Sequence, residues 1–224
     1  MIDRVLYDWG YVVAVVVGLT FAADWLLTHA GAKAAALVKD RLAFEGSYEL
    51  NPTWQAQIDA GQRFSWRAVG VGIALVFLGG LGRLLVESAE IDEAFFAAGV
   101  GAIMLLQTPI LMQHAANLQT FRSLRRPGAV EGALRQSRRF TYEQASWTFV
   151  RYAVLWLLLW VPSQQAFFLG GAAACVGIAI RFRRLGRAAG AASQADAPGM
   201  ADPQGVASDD DDVPSVPWPA EVDA

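Results

Sequence analysis

Two long stretches of this sequence contain no Asp, Glu, Lys or Arg: one lies between Glu93 and Arg122, the other between Arg151 and Arg181. A helix needs about 20 mostly apolar residues to cross the hydrocarbon core of a bilayer. Hydrophobic residues make up 54% of the chain and charged residues only 17%, against about 25% charged in soluble domains. The alternative, a very apolar soluble bundle, is disfavoured because its helices normally carry a polar stripe.

The apolar stretches predict an all-α, polytopic transmembrane helical bundle of about five spans: residues 9–30, 66–86, 94–116, 147–161 and 166–181. The last uncharged stretch is too long for one span, and Pro162 is followed there by three polar residues. Pro removes a backbone donor and polar residues suit a turn, so a helical hairpin is expected at this point. Each arm is short, which indicates either slightly extended helices or a locally thinner bilayer.

The distribution of basic residues predicts the orientation, because cytoplasmic loops are enriched in Lys and Arg. We expect an integral protein of the plasma (inner) membrane, with the N-terminus outside and the C-terminus cytoplasmic. A single long final helix would export the last Arg cluster, which argues against four spans. Two clusters carry this prediction: Arg122, Arg125, Arg126, Arg135, Arg138 and Arg139, and then Arg181, Arg183, Arg184 and Arg187.

The segments between the spans are predicted to hold two interfacial helices, at about residues 32–44 and 52–60, the second capped by Asn51 before Pro52. The basic loop 127–139 leaves room for one more helix. Its main expected role is to set the topology. A second possibility is that the Arg-rich loops bind anionic lipid head groups; nucleic-acid binding is not expected.

Beyond the membrane domain, residues 1–187, the composition changes to Ala, Gly, Ser, Pro and Asp. Residues 188–224 hold eight acidic residues and no Lys or Arg. The chain as a whole has a formal net charge of −3, so residues 1–187 are basic, with +5. The last segment lacks the apolar surface that offsets ordering entropy, and a disordered acidic tail is predicted.

Several kinds of functional site are excluded or disfavoured by the sequence. One Cys and two His are too few for a four-ligand zinc site of the usual type, and no cofactor or metal is predicted. The glycines at 79–82 follow no strand and precede no Lys-Ser/Thr, so they are not a phosphate-binding loop. Neither a Gly-x-Ser-x-Gly elbow nor a His-Glu-x-x-His pair occurs.

An ionisable residue inside a span is costly and marks a candidate functional site. Asp24 lies in the first span, and Thr20 and Thr28 share its helix face by four-residue spacing. Gln107 and His114 are seven residues apart, two turns on one face of the third span. A carboxylate and an imidazole at this depth could bind a cation or relay protons. Three loop residues are expected to close the site: Glu45, Glu49 and Asn51.

The Asp-bearing first span, followed by Glu49-x-Asn51-Pro52, resembles small uncharacterised prokaryotic multi-pass membrane proteins. The runs His114–Asn117 and Phe167–Gly171 are similar to segments of such families. The resemblance covers about residues 10–185. It implies a membrane protein and no particular activity.

Three functions remain open at this point. The leading one is a small-solute or cation-handling membrane protein, or an accessory protein, that uses Asp24. The second is a membrane enzyme acting on lipid. The third is a scaffold that recruits partners through the tail and the Arg-rich loop. Asp24 also has a purely structural interpretation, in which its carboxylate only holds two helices together.

Overall fold

The structure is a computed structural model, which describes residues 1–45, 48–62, 64–126, 128 and 132–195. Within these ranges the chain forms seven helices and two short strands. In chain order they are α1 (Ile2–Asp8), α2 (Gly10–Ala36), β1 (Leu42–Phe44), α3 (Pro52–Asp59), α4 (Trp66–Ser88), α5 (Glu93–Leu124), β2 (Leu134–Gln136), α6 (Arg138–Ser163) and α7 (Ala166–Ala195).

Five of these helices, α2 and α4–α7, are long and apolar enough to cross a membrane. Large apolar side chains such as Leu26, Phe77 and Leu158 are exposed on their outer faces. Exposed apolar surface on this scale fits contact with lipid rather than water. The fold is an all-α bundle with five candidate spans, which is compatible with an integral membrane protein.

The predicted break at Pro162 is present: α6 ends at Ser163 and α7 begins at Ala166. Gln164 adopts a left-handed backbone conformation, with φ +53°, which reverses the chain. The arms differ from the predicted 147–161 and 166–181, because α6 begins at Arg138 and α7 continues to Ala195. At 1.5 Å per residue, either arm is long enough for a full span, so no thinner bilayer is needed.

Helices α5 and α7 approach each other through glycines. A Cβ atom on Gly101 would clash with the carbonyl oxygen of Phe167, and one on Gly170 would clash with that of Ala98. Small residues allow such close backbone approach in membrane bundles. The main apolar core lies beside this contact, between α5, α6 and α7: Leu105, Phe149, Ala153, Trp156, Ala172, Cys175 and Ala179.

Helix α1, which the sequence did not predict, lies across the turn between α6 and α7. The Asp3 carboxylate accepts hydrogen bonds from the backbone N–H groups of Ala166, at 2.7 Å, and Phe167, at 3.2 Å. Unpaired N–H groups and the helix dipole make a helix N-terminus a favourable place for a carboxylate. Asp3 therefore caps α7 from a distant part of the chain.

The predicted interfacial helix at 32–44 is wrong. Helix α2 continues to Ala36, a turn follows, and Leu42–Phe44 form the strand β1, which pairs in parallel with β2. The Arg41 guanidinium in the turn donates to the carbonyl oxygens of Leu124, at 2.6 Å, and Arg126, at 2.9 Å. These hydrogen bonds cap the end of α5. Because Arg41 lies far from Leu124 and Arg126 in the sequence, the local periodicity of residues 32–44 does not reveal them.

The other connecting segments follow the sequence more closely. Helix α3 (Pro52–Asp59) matches the helix predicted at 52–60, and the Asn51 side chain accepts a hydrogen bond from the Thr53 N–H. In the basic loop, the described part after residue 131 holds β2 and no separate helix. Helix α7 passes the predicted boundary at 187, and the rest of the predicted tail, residues 196–224, lies outside the described residues.

Candidate functional site

Asp24 on α2 and His114 on α5 form a pair where these two helices pack together. The Nε2 atom of His114 lies 3.1 Å from Oδ1 of Asp24 and 3.1 Å from Oγ1 of Thr28. The Asp24 side chain is 21% exposed and that of His114 is 17% exposed. The two helices thus bring together three of the residues singled out in the sequence.

The neighbours of His114 Nε2 favour the tautomer with a proton on this nitrogen. The Thr28 hydroxyl donates to the backbone carbonyl of Asp24, at 2.9 Å, and in this orientation its oxygen accepts from the imidazole. The Asp24 carboxylate is also an acceptor. A proton on Nε2 suits both neighbours, although Asp24 Oδ1 at 3.1 Å makes no hydrogen bond of good geometry; in that tautomer Nδ1 keeps a lone pair. Nδ1 has no hydrogen-bond partner among the described residues.

The pair lines a cavity of about 360 Å³, within the size range of small-molecule sites. Side chains of α2 line one side, those of α6 and α7 line the other, and α5 lies between them because it packs on both α2 and α7. Residues 44–51 and Trp54 of α3 complete the wall. The cavity lies at the end of the bundle that carries the two Arg clusters.

Most of the predicted site residues meet at this cavity. Gln107 lines it together with Asp24, Thr28 and His114, and from the loop it is lined by Glu45, Glu49 and Asn51. Thr20 does not line it; the Thr20 hydroxyl instead donates to the backbone carbonyl of Val17, at 2.8 Å. Gln107 Oε1 is buried without a hydrogen-bond partner in the described part of the chain.

Aromatic residues form a large part of the lining that the sequence analysis missed. Trp25 and Trp54 meet edge to face, with ring centroids 5.4 Å apart, and Phe21 lies 6.4 Å from Trp54. Tyr48 packs against Gly31 of α2, where a Cβ atom would clash with its ring and hydroxyl. The adjacency of Trp25 to Asp24 was the available signal for this aromatic surface.

Two arginines of the basic clusters also line the cavity, on α6 and α7. Arg138 begins α6, and its guanidinium donates to the Tyr142 hydroxyl, at 3.2 Å, and weakly to Gln55. Arg181 on α7 donates to Asn51 Oδ1 at 3.4 Å. No carboxylate among the described residues forms an ion pair with either guanidinium; the pairs present involve other residues.

Glu49 lies in the loop before α3, outside the spans. Burial raises the pKa of its carboxyl group, partly offset by the Asn51 backbone N–H that donates to Oε1 at 2.7 Å and by nearby His114. Burial also raises the pKa of the neighbouring Tyr48 hydroxyl, beside Asn117. The loop therefore favours the neutral form of both groups.

Glu49→Gln is expected to flatten the pH dependence of stability. Because the folded-state pKa of Glu49 is raised, its stabilising contribution is full below about pH 4.3, the unfolded value, and is lost as the pH rises through the folded value. As the pH rises from 4, the unfolding free energy of the variant should therefore increase relative to that of the wild type. Denaturant titrations at a series of pH values measure this. Exposed Glu90, replaced by Gln, controls for the loss of a carboxylate; parallel curves for wild type and Glu49→Gln would contradict the prediction.

The geometry at His114 does not match a hydrolytic triad. In such a triad the acid binds Nδ1 and the nucleophile binds Nε2, whereas here Asp24 and Thr28 share Nε2. Within the described ranges, no three His, Cys, Asp or Glu side chains come together as a metal-binding group. The arrangement is suited instead to binding a small polar molecule or cation, or to moving a proton between carboxylate and imidazole.

Comparison with protein-family models, with curated proteins and with solved structures found no match.

Proposed function

We propose that the chain is a membrane protein that binds and handles a small cationic or protonatable solute at Asp24 and His114. The main support is the cavity that reaches this pair inside a helical bundle of candidate spans. A carboxylate inside a membrane is costly, and this one is not sealed by packing. Both side chains are partly exposed, at 21% for Asp24 and 17% for His114, although Asp24 Oδ1 and His114 Nδ1 are themselves buried.

The alternatives have less support. A purely structural role for Asp24 favours a dry, packed contact between α2 and α5, which differs from an open cavity lined by polar groups. A lipid-cleaving enzyme needs a nucleophile aligned with its base, and the shared nitrogen of His114 does not provide that alignment. The scaffold function depends largely on residues 188–224, most of which lie outside the described part of the chain.

A binding measurement tests the proposal. Methylammonium, propylammonium, Na⁺ and K⁺ are titrated separately into the purified full chain in detergent and followed by calorimetry. We expect at least one of these cations to bind, and Asp24→Asn to weaken its binding by tenfold or more, about 1.4 kcal/mol. Thr20→Val, on the same helix but outside the cavity, should leave the affinity unchanged.

The proposal fails if none of the four cations binds, or if Asp24→Asn binds as well as the wild type. Near-identical helix content of the two proteins, measured by circular dichroism, ensures that a loss of affinity does not reflect unfolding.

We further propose that the cavity faces the cytoplasm of a plasma (inner) membrane, because both Arg clusters lie at its end of the bundle. In a Cys175→Ala background, a membrane-impermeant thiol reagent should label Glu90→Cys in intact cells. It should label Arg135→Cys only after permeabilisation. Cys175 is the one cysteine of the chain and is fully buried. Replacing it with Ala ensures that any labelling comes from the introduced cysteine. Labelling of position 135 in intact cells would reverse the proposed orientation.

A further inference from the structure

The cavity has two chemically different walls. On α2 and α5 it presents hydrogen-bond acceptors around Asp24 and His114, whereas on α6 and α7 it presents the guanidinium groups of Arg138 and Arg181. We propose that it binds a small zwitterion that carries a primary ammonium group and an anionic group. This inference rests on the proposed function and names the class of solute.

The acceptor wall fits a primary ammonium group. Gln107 Oε1 and His114 Nδ1 are both buried and lack a hydrogen-bond partner among the described residues. With the proton on Nε2, Nδ1 is an acceptor, and the Asp24 carboxylate lies on the other side of the same ring. A buried polar atom without a partner costs about 1–3 kcal/mol. An –NH₃⁺ group has three donors, so it can bind more than one acceptor of this wall. Because Nδ1 and the Asp24 carboxylate lie on opposite sides of the imidazole ring, one ammonium group contacts only one of these two.

The basic wall fits an anionic group. Arg138 and Arg181 come from different helices and face one cavity, and neither guanidinium is in an ion pair with a described carboxylate. Glu45 also lines the cavity, but its Oε2 is the acceptor of the Arg138 backbone N–H, at 3.2 Å. Guanidinium groups bind carboxylates and phosphates in a bidentate manner, so either anion fits.

The size of the cavity limits the ligand. Its 360 Å³ lies at the lower end of the size range of small-molecule sites, which fits a small amino acid or an ethanolamine phosphate group. The shared chemistry therefore has two sources: a free ω-amino acid, or the head group of a zwitterionic lipid such as phosphatidylethanolamine. The test separates these sources.

The affinities of the purified full chain for glycine, β-alanine and γ-aminobutyrate are compared with those of alkylamines that lack only the carboxylate. Glycerophosphoethanolamine represents the lipid head group. We expect at least one zwitterion to bind tenfold or more tightly than its matched amine. A preference for glycerophosphoethanolamine, together with competition by phosphatidylethanolamine in nanodiscs, identifies the lipid source; a preference for an amino acid identifies the free solute.

The variant Arg138→Gln/Arg181→Gln should abolish the preference for the zwitterion and leave amine binding intact, whereas Asp24→Asn should weaken both. Arg135→Gln/Arg184→Gln removes two exposed charges from the same segments outside the cavity and should change neither. Because Arg138 also contacts Tyr142, Arg138→Lys/Arg181→Lys serves as a folded control that keeps the charge and should keep most of the preference.

The outcomes distinguish the two proposals. If amines bind in an Asp24-dependent manner but no zwitterion is preferred, or if the Arg-to-Gln variant keeps the preference, the zwitterion inference is overturned and the proposed function stands. If Na⁺ or K⁺ binds in an Asp24-dependent manner but no amine or zwitterion does, only the zwitterion inference fails; if no cation, amine or zwitterion binds, both fail.

Discussion

Replacing Gly101 or Gly170 with Ala is expected to destabilise the protein by about 3 kcal/mol, the upper end of the usual cost of overpacking. In each case the new methyl group would overlap a backbone carbonyl of the facing helix, Phe167 for Gly101 and Ala98 for Gly170. A backbone carbonyl cannot rotate away as a side chain can. The axes of α5 and α7 must therefore separate along the contact that also supports the main core.

Gly99 and Gly177 provide matched controls on the same two helices. A Cβ atom at either position would have nothing within 4 Å, so Ala should improve helix propensity by about 1 kcal/mol. The four variants are compared by unfolding in mixed micelles with increasing SDS, followed by tryptophan fluorescence. The close contact between α5 and α7 is refuted if Gly101→Ala and Gly99→Ala unfold at the same SDS fraction.

The contact between Asp24 and His114 could be anticipated from the sequence because helix periodicity and alternating span direction restrict which polar residues share a depth. The four-residue spacing did not predict correctly that the Thr20 side chain would share the site with Asp24 and Thr28. Each step of four residues turns about 40° around an α-helix, so Thr20 and Thr28 lie about 80° apart. Thr28 faces the cavity, whereas the Thr20 hydroxyl binds its own helix backbone.

Arg138 and Arg181 show what the sequence does not reveal. Ten arginines near span ends predict orientation equally well, since that prediction depends only on which side each charge occupies. The cavity, in contrast, depends on which face of α6 and α7 packs against α5, and this is a property of the tertiary contacts. The pairing of β1 with β2 was missed for the same reason, because the partner strands are about ninety residues apart.

Removing both members of the Asp24–His114 pair is expected to cost less than the sum of the single changes. Asp24→Leu leaves His114 Nε2 without its carboxylate, and His114→Leu leaves a carboxylate in an apolar bundle. Breaking a fully buried pair costs about 3–5 kcal/mol; because both side chains are about one-fifth exposed, we expect about 2 kcal/mol for each single variant. In the double variant neither polar group is left without its partner, so the coupling energy between the two substitutions should be about 1–2 kcal/mol.

This double-mutant cycle, measured by the same SDS unfolding with Thr20→Val as a control, also separates folding from function. The double variant should be nearly as stable as either single variant, and yet it should bind no cation, since the acceptor wall is lost. If it instead kept the cation affinity of the wild type, Asp24 and His114 would only hold α2 to α5, and the ligand site would have to lie elsewhere. A coupling near zero would mean that the two side chains do not interact, despite their 3.1 Å separation.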